Sequence, residues 1–131
     1  MSFQVDDSGP VLVVTYSGTV DDTLALECLE VMLATEGFAT KDQLVDYTDV
    51  DTYQVTIAGL KELSVRINSY RAIHGKRPAR NAYVLPEDIE YGMGRVFLAY
   101  VEADESSHLF RSLAEARAWL GLQDHDLPSA C

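Results

Sequence analysis

Two hydrophobic periods take turns along this chain. The runs VLVVTYSGTV (11–20), QLVDYTDV (43–50), RNAYVLP (80–86) and SHLFR (107–111) are rich in β-branched and aromatic residues. Each precedes a segment of helical length: 21–38, Thr56 to His74, Glu87 to Glu102, and LAEARAWLGL (113–122). Strands are therefore expected at 11–17, 43–49, 81–85 and 107–111, joined by crossover helices. Phe3–Asp6 can add an edge strand through a hairpin at Ser8-Gly9-Pro10. The fold class that follows is α/β, with a four- to five-stranded, mostly parallel sheet packed by four helices.

The helical segments carry their own signals. In the first, Asp21, Asp22 or Thr23 can cap the start, Leu26, Leu29 and Leu33 line one side, and Glu27 and Glu30 project from the other. In the second, Leu60, Leu63, Ile67, Tyr70 and His74 share a face, and Gly75 is a left-handed stop. The third presents Ile89, Met93, Val96, Phe97 and Tyr100, yet holds two glycines, Gly92 and Gly94. Each interior glycine costs about 1 kcal/mol relative to alanine, which points to close backbone contact with a neighbour or a ligand. The closing helix offers Leu113, Ala116, Trp119 and Leu120, so Trp119 is expected to be largely buried against the sheet.

At 131 residues the chain is expected to form one domain, 1–131, with a core over about 11–122 and a polar tail at 123–131. No apolar run approaches the length of a membrane span. The N-terminus lacks the basic region and apolar stretch of a signal peptide, and Cys28 and Cys131 suit no disulfide framework. A reduced, cytoplasmic protein is the expectation. Net charge is −11 but unevenly placed: residues 1–60 hold eleven acids against Lys41, whereas 61–80 hold six bases against Glu62. The overall sign argues against nucleic acid. The basic stretch reads first as helix-end and solvent-facing charge, with a local anion site as the lesser alternative.

Candidate chemistry is sparse. His74, His108 and His125 share no metal-ligand spacing, and no metal site or cofactor is expected. Asp46, Asp49 and Asp51 cluster at the carboxyl end of a strand, where ligands gather in parallel sheets. Aspartates there also commonly cap turns. Tyr91, Gly92, Gly94 and Arg95 lie near the start of the third helix, and Arg95 is either a salt-bridge partner or an anchor for an anionic group. Together these seven residues are the candidate ligand site. No nucleophile elbow or phosphate loop occurs, and an enzyme using Asp46, Asp49 and Asp51 is the least favoured reading.

The strand Leu44-Val45-Asp46-Tyr47-Thr48-Asp49-Val50 and the closing Phe110, Ala114-Glu115-Ala116 and Trp119-Leu120 resemble the SpoIIAA-like (STAS/CRAL-TRIO-related) family of small bacterial proteins. Ala82-Tyr83-Val84-Leu85-Pro86 followed by Tyr91-Gly92-Met93-Gly94-Arg95-Val96-Phe97 is similar to a stretch in its uncharacterised members. The likeness runs from Val11 to Leu122. It implies a non-enzymatic regulatory or binding domain that engages a protein partner or a small amphipathic or anionic ligand. The family's best-known members are anti-sigma-factor antagonists, switched by phosphorylation in an Asp-Ser-Ser-Gly motif at a helix start. Here that place reads Gln54-Val55-Thr56-Ile57, so Thr56 is only a weak analogue of the phosphorylated residue. The alternative is a carrier or sensor of a lipid-like molecule, with Arg95 near its polar head. A homodimer remains open.

Overall fold

The computed structural model describes residues 2–75, 79–101 and 106–122. The expected tail at 123–131, residues 76–78 of the basic stretch, and the end of the third helical pattern at Glu102 lie outside these. Five strands form one sheet: β1 (Ser2–Asp6), β2 (Val11–Asp21), β3 (Asp42–Gln54), β4 (Asn81–Val84) and β5 (Ser107–Phe110). They lie side by side in chain order, with β1 antiparallel to β2 and every other pair parallel. Between them run α1 (Asp22–Ala34), a short 3-10 turn at Glu36–Ala39, α2 (Ile57–His74) and α3 (Asp88–Tyr100); α4 (Leu113–Leu120) closes the chain. All five expected strands are present, but β2 and β3 continue well past their expected ends.

Alternate strand residues serve two cores. On one face Leu12, Val14, Tyr16 and Val45 pack with α1, α2 and α3. On the other, Val11, Leu44, Ala82 and Val84 pack with Ala116 and Leu120 of α4. Both faces are covered, so the strands read as nearly continuous apolar runs. The long β2–β3 pair slips register twice, between Thr15 and Ser17 and between Gly18 and Thr19. These two bulges let thirteen residues of β3 run beside eleven of β2.

The caps follow the expected chemistry. Asp21 accepts from the Leu24 N–H at the start of α1, Thr56 from Gly59 at α2, and Ser112 from Glu115 at α4. Gly75 ends α2 with a positive φ of 79°. The buried side of α1 is rotated from its expected position: Leu24, Ala25, Cys28, Leu29 and Met32 are inside, whereas Leu26 and Leu33 are half-buried. At the other pole, Lys41 pairs with Asp7 at 2.8 Å and donates to the carbonyls of Asp7 and Gly9. This clamps the β1–β2 hairpin to the segment before β3, and the Lys41 ammonium holds the Asp7 carboxyl below its usual range.

Trp119 is half-buried rather than largely buried. Its ring packs on His108 and Phe110 of β5, and the Arg80 guanidinium lies over it at 5.3 Å. Arg80 also donates to the carbonyls of Trp119 and Leu120 and pairs with Asp42 at 3.0 Å, which ties the end of α4 to the start of β3. Leu120 takes the deeper place. Trp119→Ala should therefore cost about 2 kcal/mol in chemical denaturation, below the roughly 3–5 kcal/mol of a fully buried aromatic. A loss under about 0.5 kcal/mol would show that α4 is not docked through this ring.

Candidate functional site

Between the sheet and the layer formed by α1, α2 and α3 lies a cavity of about 130 Å³. Its floor comes from β2, β3 and β4 through Tyr16, Val45, Tyr47, Tyr53 and Tyr83, and its roof includes Leu63 and Ile67 of α2 and Met93 and Phe97 of α3. Aromatic rings dominate: Tyr16 and Tyr47 lie 4.8 Å apart, Tyr47 and Tyr53 6.1 Å, and Tyr83 meets Phe97 edge-on at 6.2 Å. Gly94 allows the close fit of α3. A Cβ there would stand 2.5 Å from Leu85 Cδ1 and 3.3 Å from Leu109 Cδ2.

The cavity has two polar ends. At one, Gln43, Asn81 and Ser107 sit on neighbouring rungs at the strand starts, and Arg71 of α2 donates to the Val101 carbonyl beyond α3. Gln43 is only 3% exposed. At the other end stands Glu90, 2% exposed on the inward side of α3. The Glu87 N–H donates to one of its carboxyl oxygens at 3.2 Å. Burial raises the Glu90 pKa above its ordinary value, partly offset by that hydrogen bond. Burial likewise raises the pKa of the Tyr16 and Tyr47 hydroxyls, so both are neutral hydrogen-bonding groups. The Cys28 thiol is pushed up to about 11, chiefly by burial, and is not a nucleophile at neutral pH.

The candidate residues read from the sequence scatter around this cavity. Asp46 is buried on the α4 side of the sheet, where its carboxylate accepts from the Thr48 N–H at 2.9 Å and hydroxyl at 2.5 Å. Asp49 and Asp51 are exposed along the continued β3. Tyr91 lies under the Arg111 guanidinium at 4.2 Å, and Arg111 reaches Asp88 at 2.8 Å. Arg95 is exposed and forms no ion pair with a described residue. Of the seven, only Gly94 lines the cavity. Gly92 faces open space and has no close neighbour to explain it. In the basic stretch, Arg66 pairs with Glu30 and Glu62, while Arg71 and Arg80 hold backbone carbonyls.

Sequence reading missed Glu90 because Ile89 was placed on the inner face of α3. The structure reverses them: Ile89 is 61% exposed. The true inward stripe is Glu90, Met93, Gly94, Phe97 and Val101, whose i, i+3, i+4, i+7, i+11 spacing was a usable signal.

Solved structures share this architecture. The anti-sigma factor antagonist SpoIIAA in its unphosphorylated form matches with a TM-score of 0.54 at 13% identity, over 92% of this chain and 97% of its own. An uncharacterised protein of the DUF3478 family from Shewanella loihica, with a SpoIIAA-like fold, matches at 0.55 and 17% identity, over 91% and 92%. An anti-sigma factor antagonist from Mycobacterium paratuberculosis matches at 0.53 and 18% identity, over 92% and 94%. The fold is SpoIIAA-like. No protein-family model matches the sequence, and no curated protein does.

In this SpoIIAA-like fold Thr56 sits, exposed, at the start of α2. Its hydroxyl donates to Asp22 Oδ2 at 2.6 Å, and its N–H donates to Asp22 Oδ1 at 2.8 Å. The Asp22 carboxylate thus already occupies the anion-favouring position at this helix start, and a phosphate on Thr56 would meet like charge. Among the described residues, no helix is long and apolar enough to cross a membrane.

Two measurements probe these assignments. Gly92→Ala should stabilise the protein by up to about 1 kcal/mol, because it gains helix propensity in open space. Gly94→Ala should fall short of that gain by the cost of displacing Leu85, and equal effects would disprove the close contact. For Glu90, the raised folded-state pKa means that the folded protein retains a proton the unfolded chain releases. Stability therefore falls as pH rises through that window. Glu90→Gln should be more thermostable than wild type at pH 7, and this advantage should vanish below about pH 3.5, where both states are protonated.

Proposed function

We propose that the chain is a non-enzymatic binding domain that takes a small, mostly apolar molecule between its sheet and its three-helix layer, in a regulatory role. The observation that carries this reading is the cavity itself. An aromatic-walled space with a few polar groups at its ends is the usual form of a small-molecule site. An engineered protein cavity of about 150 Å³ accommodates a benzene molecule, so about 130 Å³ suits one ring or a short acyl or alkyl body. The SpoIIAA-like fold supports the regulatory part of the reading, since two of the structures it resembles are anti-sigma factor antagonists. Against catalysis, the phenols that line the cavity are neutral, and the Cys28 thiol, buried outside that lining, is not activated.

Native mass spectrometry of the purified protein should show a co-purifying species, or uptake of small aromatic probes, at a stoichiometry of one. Met93→Trp, which fills the cavity from α3 by replacing a pliable side chain, should abolish that uptake while the protein stays folded. Arg95→Met, altered outside the lining, should bind as wild type does. Full uptake by a folded Met93→Trp protein would place the ligand elsewhere.

A further inference from the structure

Taking the cavity as a ligand site, we propose that its occupant is a small amine, with an ammonium group hydrogen-bonded to Glu90 and a body about one ring in size packed among Tyr47, Tyr53 and Phe97. A carboxyl group with almost no solvent exposure needs partners for both oxygens. In Glu90 one oxygen is met by the Glu87 N–H, and the other receives no hydrogen bond from any described residue. The side chain lines the cavity, so that oxygen is open to a donor from whatever fills it, water in the empty protein and a ligand group in the occupied one.

Three features select a cationic donor over a neutral one. A charged donor forms a much stronger hydrogen bond to a carboxylate than a neutral one. The walls beside Glu90 are tyrosine rings, whose faces attract cations. The chain carries a net charge of −11, which favours the approach of cations and disfavours anions. The Glu90 carboxylate is also near enough to Tyr53 to add to the effect of burial in opposing ionisation of its hydroxyl, so the phenol remains an additional neutral partner. The one guanidinium among the described residues of the wall, Arg71, is held by the Val101 carbonyl at the far end of the cavity. Val101 is eleven residues along from Glu90, a separation of about 16 Å at helical rise. A ring with a two-carbon arm does not span that length, and so meets Glu90 without meeting Arg71.

The full-length protein is titrated calorimetrically with 2-phenylethylamine, 2-phenylethanol, ethylbenzene and 3-phenylpropionate. The amine should bind about tenfold or more tighter than the alcohol, and Glu90→Gln should reduce it to the alcohol's level while leaving the alcohol unchanged. The alcohol or the carboxylate binding as tightly as the amine would overturn the amine assignment and leave the cavity as a ligand site. An amine preference that survives in Glu90→Gln would overturn the role of Glu90. Binding by none of the four would overturn the cavity reading and the amine assignment together. If Glu90→Gln fails to fold, the wild-type ranking of amine over alcohol and carboxylate decides the matter alone.

Discussion

A parallel strand in the middle of a sheet with helices on both faces has no side on which a charge reaches water from its centre. β2 and β3 are such strands, and their alternate residues feed two separate cores. Polar groups are accordingly displaced to the strand ends, as with Gln43 at the start of β3, or turned back onto the local backbone, as with Asp46. The coverage is unequal. One short helix closes one face, whereas three helices roof the other, and their roof leaves room above Val45 and Tyr47. The cavity is thus a product of the layer arrangement, lined by residues brought from five or more segments of the chain.

Much of the architecture was legible because it rests on local pattern. Strand runs such as VLVVTY and AYV carry the apolar continuity of doubly covered strands, and Asp21 and Gly75 mark helix boundaries by their own chemistry. The site was not legible for two physical reasons. Its lining comes from residues far apart in sequence, which no local pattern joins. Its one buried acid also occupies a place where periodicity expects an apolar residue, beside an isoleucine that points outward. Gly94 was half-read: the helix-breaking cost gave notice of a close approach, but not which neighbour approached. The aspartates stood out in sequence because of their number, and their number reflects the exposed edge of β3.

Glu90 is costly to the fold that holds it. An acid buried with one satisfied oxygen lowers the stability of the empty protein at neutral pH, and a glutamine or methionine would serve the helix start and the core better. In the proposed amine site, the other oxygen would distinguish one small molecule from another of equal shape. The Tyr47 and Tyr53 hydroxyls are held neutral in the same way, by burial first.

The two bulges in β3 govern which of its side chains are allowed inside. In an unbroken strand every second residue shares a face, so Val45 and Tyr47 would be followed inward by Asp49 and Asp51. Each bulge shifts that parity by one. Val50 is brought to the core instead, the aspartates remain in solvent, and the second bulge restores the phase so that Tyr53 and Val55 return to the cavity. β3 consequently tolerates loss of one residue at either bulge, since that returns the stretch to regular pairing and leaves Tyr47, Val50 and Tyr53 on their rungs. Regular pairing through one bulge at unchanged length would instead send a carboxylate toward the tyrosines and turn the far wall of the cavity out to water.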